Sequence, residues 1–303
     1  MTDKMFDTEY LKQHMGDYAK ELNPDVAKLE PIVEALKEKT KTLGIEVEHD
    51  VTALENPYFK TFNYTSYAGF LTVHPLQPEH SARQMLDAWY SDESEANHDW
   101  YDWSVDRINN KQASKYNIKS TKIIPNKIFS LVVLPGGNKL KKHICIGQLE
   151  NIADFGGPST GMENGIFWKA HPITKLSEVS ELNERLGGEF AVRDGYNLYE
   201  LMERVEQIVY TSHLSESAWI ASVMGKKIVP IDKYQARAMS SFFHINHFLF
   251  SEPNPIEFGC KAFNDYRSGI FQPDIDKDWE EKLDKYLAYI SERRIIQHGF
   301  YQM

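Results

Sequence analysis

The stretch from Gln207 to Asp232, QIVYTSHLSESAWIASVMGKKIVPID, constrains the fold of this 303-residue chain more than any other. Gln207–Thr211 carries the β-branched and aromatic residues of a strand, and Ser212-His213-Leu214-Ser215 after it is a polar loop. Ser215 suits the cap of the helix that follows, because its hydroxyl can accept from the first free amides. Trp219, Ala221, Val223 and Met224 give that helix its apolar content, and Gly225, able to take positive φ without steric cost, stops it. Lys227–Ile231 resumes as a buried strand. Such a unit presents helix-terminal amides and hydroxyls at the carboxyl edge of a parallel sheet, where open α/β folds bind ligands and phosphates in particular.

The residues upstream extend the same alternation. Ile144-Cys145-Ile146-Gly147 is the candidate first strand, followed by the Gly-rich segment Phe155–Gly165, read as a connecting loop because its order fits neither the P-loop nor the dinucleotide fingerprint. Ile166–Lys169 is a second strand, ending at His171-Pro172. Ser177 can cap a helix carrying Val179, Leu182 and Leu186 up to Gly187-Gly188, and Glu189–Val192 is a third strand. Asn197, with Glu200 three positions on, resembles a capping box. Repeated strand and helix in this order predict a parallel sheet covered on both faces.

The amino-terminal half reads as a separate α/β domain. Pro31–Leu43 has helical spacing and Ile45–Glu48 alternates like a short strand. Tyr67–His74 is another strand, Ser81–Tyr90 a helix, and Ile128–Leu134 an apolar strand before the turn Pro135-Gly136-Gly137-Asn138, which marks the expected domain boundary. The expected domains are therefore residues 1–138, 139–270 and a tail, 271–303, whose helix Asp276–Ile296 is amphipathic. Phe242–His247 suggests a further strand or buried turn, and its His244 and His247 are read as core residues rather than metal ligands.

Charge and cysteine usage narrow the function. A formal charge of −10 disfavours a general grip on nucleic acid or anionic membrane. The chain has neither a cationic leader followed by an apolar run nor a stretch long enough to span a bilayer, and Cys145 and Cys260 form no zinc or disulfide pattern, so a cytoplasmic setting is expected. Against that acidity, Lys111–Lys127 holds five lysines, either a solvated connection or a lining for phosphates. His98-Asp99-Trp100-Tyr101-Asp102-Trp103 reads either as an acceptor-sugar platform or as aromatic anchors of a half-exposed helix.

Ser215, followed ten residues later by Gly225-Lys226-Lys227-Ile228-Val229, resembles the serine and "GKP" ending in the carboxyl-terminal domain of many GT-B glycosyltransferases. Phe167-Trp168-Lys169-Ala170-His171-Pro172 is similar to the "K-x-H-P" strand end of capsule-type sialyl-, polysialyl- and Kdo-transferases and teichoic-acid polymerases. Lys227 stands where proline is usual in that pattern. The resemblance covers roughly residues 144–232 and implies two Rossmann-like domains, the first short or degenerate, with a carboxyl-terminal helix crossing back onto the first. It also implies a metal-independent transfer of sugar from a nucleotide-sugar co-substrate to a hydroxyl acceptor, with no further cofactor. His171, Ser215 and the amides of Glu216 and Ser217 would donate to the donor phosphate, with Ser212 and Lys169 beside them. An inverting reaction would need a general base, for which Asp50, His74, Asp99 and Asp102 are the candidates.

Two alternatives accompany this expectation. One is a phage-type transferase acting on hydroxymethylated bases of DNA, compatible with Lys111–Lys127 and opposed by the net acidity. The other is a Rossmann-like domain that binds a nucleotide or protein without turnover, since fold alone does not fix function.

Overall fold

The computed structural model describes residues 24–49, 61–67, 69–75, 78–91, 98–110, 119–136, 146–156, 165–172, 174–187, 191–232 and 241–292. In chain order the strands are β1 (Glu46–His49), β2 (Thr61–Tyr67), β3 (Phe70–Pro75), β4 (Ile128–Val133), β5 (Ile166–Lys169), β6 (Ala191–Val192), β7 (Val205–Thr211), β8 (Lys227–Pro230) and β9 (Ile270–Phe271). The helices are α1 (Pro24–Ala27), α2 (Glu30–Lys41), α3 (Pro78–Trp89), α4 (Asp99–Asn109), α5 (Ile146–Gly156), α6 (Leu176–Leu186), α7 (Leu198–Glu203), α8 (Ser217–Val223), α9 (Ser241–Ser251), α10 (Pro255–Asn264) and α11 (Trp279–Glu292). None of the described helices is long and apolar enough to cross a membrane.

The chain forms two compact units, and the first is discontinuous, built among the described residues from 24–106 and 241–292. Its sheet runs β1-β2-β3-β9, with β1 parallel to β2 and the other pairings antiparallel. This is a mixed sheet, not the Rossmann-like one expected. Tyr67 pairs with Phe70 across a tight turn, and Gly69 takes φ +92°, so the run read as a single strand from Tyr67 is the second arm of a hairpin. The missed first arm shows the alternation of a strand, with Phe62 and Tyr64 buried. They share a core with Leu71, Val73 and Phe271 of the sheet, Ile32, Val33 and Leu36 of α2, and Leu283, Tyr286, Leu287 and Ile290 of α11. The last helix is thus packed against the earliest described elements. Phe70, of opposite parity to Leu71 and Val73, meets Trp100 and Phe263, each at a ring separation of 5.0 Å.

The second unit holds the parallel sheet, in the order β6-β5-β4-β7-β8. All four of its pairings are parallel. Side-chain parity separates its faces. Val132, Leu134, Trp168 and Ala170 pack with Leu149, Ile152 and Ala153 of α5 and Val179 and Leu182 of α6. On the other face Phe167 meets Tyr196 edge-on at 5.0 Å, and α7 packs on β4 and β7. Asn197 caps α7 by accepting from the amides of Tyr199 and Glu200.

Four expectations change here. The boundary near Pro135–Asn138 lies inside the second unit, because β4 is the central strand of the parallel sheet and Pro135-Gly136 is where it exits at the carboxyl edge. Residues 241–292, expected in part within the second domain, belong to the first unit. Ile146-Gly147 opens α5 rather than closing a strand, because Leu149, Ile152 and Ala153 recur at helical spacing and bury against the sheet. Similarly, Phe242–His247 is helical, within α9, whose buried Ile245 and Leu249 lie four residues apart. Cys145 and residues 157–164 of the Gly-rich segment fall outside the described residues.

Candidate functional site

Strand order decides where a ligand would bind in the second unit. From β4 the chain winds outward through β5 to β6, then returns to the other side of β4 for β7 and β8. The reversal is a topological switch point between β4 and β7, and the crevice outside the carboxyl ends there is the usual ligand position in open α/β sheets. Each strand contributes its exit segment to this edge. Leu134 N donates to Lys169 O at 2.9 Å, Ala170 N to Val192 O at 2.9 Å, and Ile231 N to Thr211 O at 3.0 Å, so the ladders run on until the segments diverge. Gln148 in the first turn of α5 donates to Pro230 O at 2.7 Å, which brings that helix start to the same edge.

The segment after β7 is held by one carboxylate. Asp232, just beyond β8, accepts from the Ser212 hydroxyl at 2.7 Å, from the His213 amide at 3.1 Å to both oxygens, and from His213 Nδ1 at 2.6 Å. All three residues are buried. Burial alone would push the Asp232 carboxyl up; the hydrogen bonds from His213 and Ser212 outweigh it and hold the group below its ordinary value. With an ionised carboxylate as acceptor, His213 carries a proton on Nδ1. Ser212 and His213 both serve Asp232, and the serine proton does not go to the imidazole, so this is not a nucleophile-and-base arrangement. The Ser212 hydroxyl also accepts from Leu214 N at 3.0 Å. Its single proton is committed to Asp232, which makes Ser212 a structural member of the loop rather than the phosphate donor expected of it.

A second set of hydroxyls lies beside the first. Thr211 Oγ1 bonds Ser217 Oγ, and Ser217 Oγ bonds Ser215 Oγ at 2.7 Å. Thr211 is fully buried and Ser215 half-buried. If protons ran from Ser215 toward Thr211, the threonine proton would be buried with no acceptor. Every buried donor is satisfied when Thr211 donates to Ser217 and Ser217 to Ser215. That polarity makes Ser215 Oγ the acceptor at the end of the relay. Ser215 Oγ also accepts from Ser217 N at 3.3 Å, so the serine does cap an amide, although Glu216 is the residue adjoining α8. At the far end Gly225, φ +68°, ends the helix as its sequence implies.

On the other flank of β4 stands the end of β5. His171 is half-buried and its carbonyl accepts from Thr174 N at 3.0 Å, closing a turn. Two strand spacings separate the ends of β5 and β7, about 10 Å, within the reach of a diphosphate with its nucleoside. Lys169 is drawn the other way. Its amine donates to the carbonyls of Ala170 at 2.9 Å and Arg193 at 2.5 Å, on the β6 side. Burial pushes this amine down to about 7, against the pull of Asp194. Arg193 is itself engaged by Asp194 at 2.7 and 2.9 Å and by the Thr174 carbonyl at 3.0 Å. Lys169 therefore serves as a buried cap for two carbonyls where β5 and β6 part.

The structure thus collects His171, Ser212, Ser215, Glu216 and Ser217 at one edge of one sheet. The base candidates belong to the first unit: His74 is buried on β3, Asp99 and Asp102 are exposed near the start of α4, and Asp50 lies outside the described residues. Trp100 is wholly buried against Phe70 and Phe263, so this member of the aromatic run is a core anchor rather than a sugar platform. Among the described residues no group of three His, Cys, Asp or Glu is arranged to hold a metal. His213, Asp232 and Thr211 are the residues that sequence reasoning passed over. The register that pairs Thr211 with Pro230 is what puts Asp232 beside the loop.

No family model matches the chain, and no curated protein matches it either.

Proposed function

We propose that this chain is a glycosyltransferase whose second unit holds the phosphate of a nucleotide sugar at the carboxyl edge of its parallel sheet. The observation that carries the reading is the placement, on either flank of β4, of His171 after β5 and of the Ser215 hydroxyl in the β7–α8 segment. Transfer needs donors aimed at the phosphate rather than a nucleophile. The acceptor oxygen bonds to the anomeric carbon as the bond from that carbon to the phosphate oxygen breaks, and negative charge grows on the leaving phosphate. His171 and Ser215 are the groups suited to take it up. Lys169 and Ser212, committed to Arg193 and Asp232, support the edge instead. The acceptor hydroxyl also loses a proton, which passes to a general base.

The lysine-rich segment is partly occupied within its own unit, since Lys127 pairs with Glu206 at 2.8 Å and Lys122 lies over the Tyr196 ring at 5.6 Å. The test is release of nucleotide from uridine, cytidine, guanosine and thymidine sugar nucleotides, with glycan and hydroxymethylated duplex DNA offered as acceptors. His171→Ala should slow release on the order of a hundredfold, the effect of removing one oxyanion donor, and Ser215→Ala about tenfold. Wild-type rates in both variants would remove these residues from the site. No release from any sugar nucleotide would favour a binding protein without turnover.

A further inference from the structure

We propose that Asp232 is the positioning residue of this site, holding the β7–α8 segment in the one conformation that presents Ser215 to a phosphate. The proposal rests on the nucleotide-binding reading above and adds to it a residue that touches no ligand. Asp232 lies 19 and 20 residues along the chain from His213 and Ser212, yet three donors from that pair converge on its carboxylate. A carboxylate offers about four lone-pair sites, so Asp232 is nearly saturated by this one segment. The clamp sits immediately where the ladder ends, one residue after Ile231 N donates to Thr211 O.

From there the path is relayed by short bonds. Ser215 N donates to Ser212 O at 3.1 Å and Ala218 N to Ser215 O at 3.3 Å, so fixing Ser212 and His213 fixes Ser215 and the entry of α8. The same carboxylate sets the ring of His213, with Nδ1 as the donor. Hydrogen-bonded carboxylates that orient a ligand-binding group without touching the ligand are a recurrent device, and their loss typically weakens binding tenfold to a hundredfold at metal sites.

Asp232→Asn tests the assignment, because an amide keeps the shape but turns a donor toward donors. Two readouts are needed on the full chain. The first is amide exchange without ligand: His213, Leu214, Ser215 and Ser217 should exchange at least about tenfold faster, with Leu131 and Val132 of β4 unchanged. The second is affinity for whichever of the uridine, cytidine, guanosine or thymidine mono- and diphosphates wild type binds, measured well below the unfolding temperature of each variant. It should weaken about tenfold. Ser212→Ala, which deletes one donor, should move both readouts the same way by a smaller factor. If Asp232→Asn speeds exchange throughout the unit, Ser212→Ala decides by the same criteria.

Unchanged exchange in the loop would overturn the clamp. Faster loop exchange with unchanged affinity would overturn positioning and leave Asp232 a stabilising residue only. A wild-type chain that binds none of these nucleotides would overturn the proposed function and the positioning role with it, whatever the exchange pattern.

Discussion

Lys169→Met is the sharpest test of how the β5 end is built. Methionine keeps the length of the side chain and removes the ammonium. In the folded chain the amine is buried and pushed down to about 7, while an unfolded lysine keeps its ordinary value of about 10.4. Between those values the unfolded state binds more protons than the folded one, so stability rises with pH. At about 1.36 kcal/mol per pH unit per proton, the single group integrates to about 3 kcal/mol between roughly pH 6.5 and pH 9.5. Urea unfolding followed by tryptophan fluorescence at the two pH values, for wild type and variant, isolates the amine's contribution as the difference of differences. Wild type should gain about 3 kcal/mol more than the variant over this interval. Equal gains would show an exposed or ordinarily charged amine, and would return Lys169 to the list of phosphate ligands.

Two further substitutions probe the scaffold, one in each unit. Gly269 takes φ +70°, and a β-carbon there would stand 2.1 Å from the Val73 carbonyl oxygen, so Gly269→Ala should cost about 3–5 kcal/mol in urea unfolding from left-handed strain plus overpacking. A loss under about 1 kcal/mol would mean that the β3–β9 contact relaxes freely. Asn197→Ala removes the acceptor for the Tyr199 and Glu200 amides and should cost about 1 kcal/mol, read as a lower thermal midpoint; an unchanged midpoint would deny the cap.

Local chemistry made the second unit legible where each element carries its own signal. The β-branched run ending at Thr211, the polar loop and Gly225 predict β7, α8 and β8 within two residues of their observed ends. Asn197 declares a helix start by residue type, and the structure puts it at the cap. Signals that compete are lost. Ile144–Gly147 is short and apolar, which fits a buried strand or a helix start equally, and only the spacing of Leu149, Ile152 and Ala153 tells them apart. In α9 nearly every position from Phe242 to Phe250 is apolar or His, so no period stands out. The clamp at Asp232 was illegible for a different reason. It depends on the parallel register that pairs Ile208 with Lys227 and Thr211 with Pro230, residues 19 apart along the chain, and register is a tertiary fact. Nor does any composition change mark residue 107, where one unit gives way to the other, because the sheet of the first closes only with β9.

The central claim, that the carboxyl edge of the second unit binds a nucleotide phosphate, is tested most directly by a thermal-shift panel of nucleoside mono- and diphosphates and nucleotide sugars. Selective binding to the folded state raises the midpoint by mass action. The account predicts a clear upward shift with one nucleotide family, absent in His171→Ala. No shift with any of them, or the same shift in the variant, would contradict it.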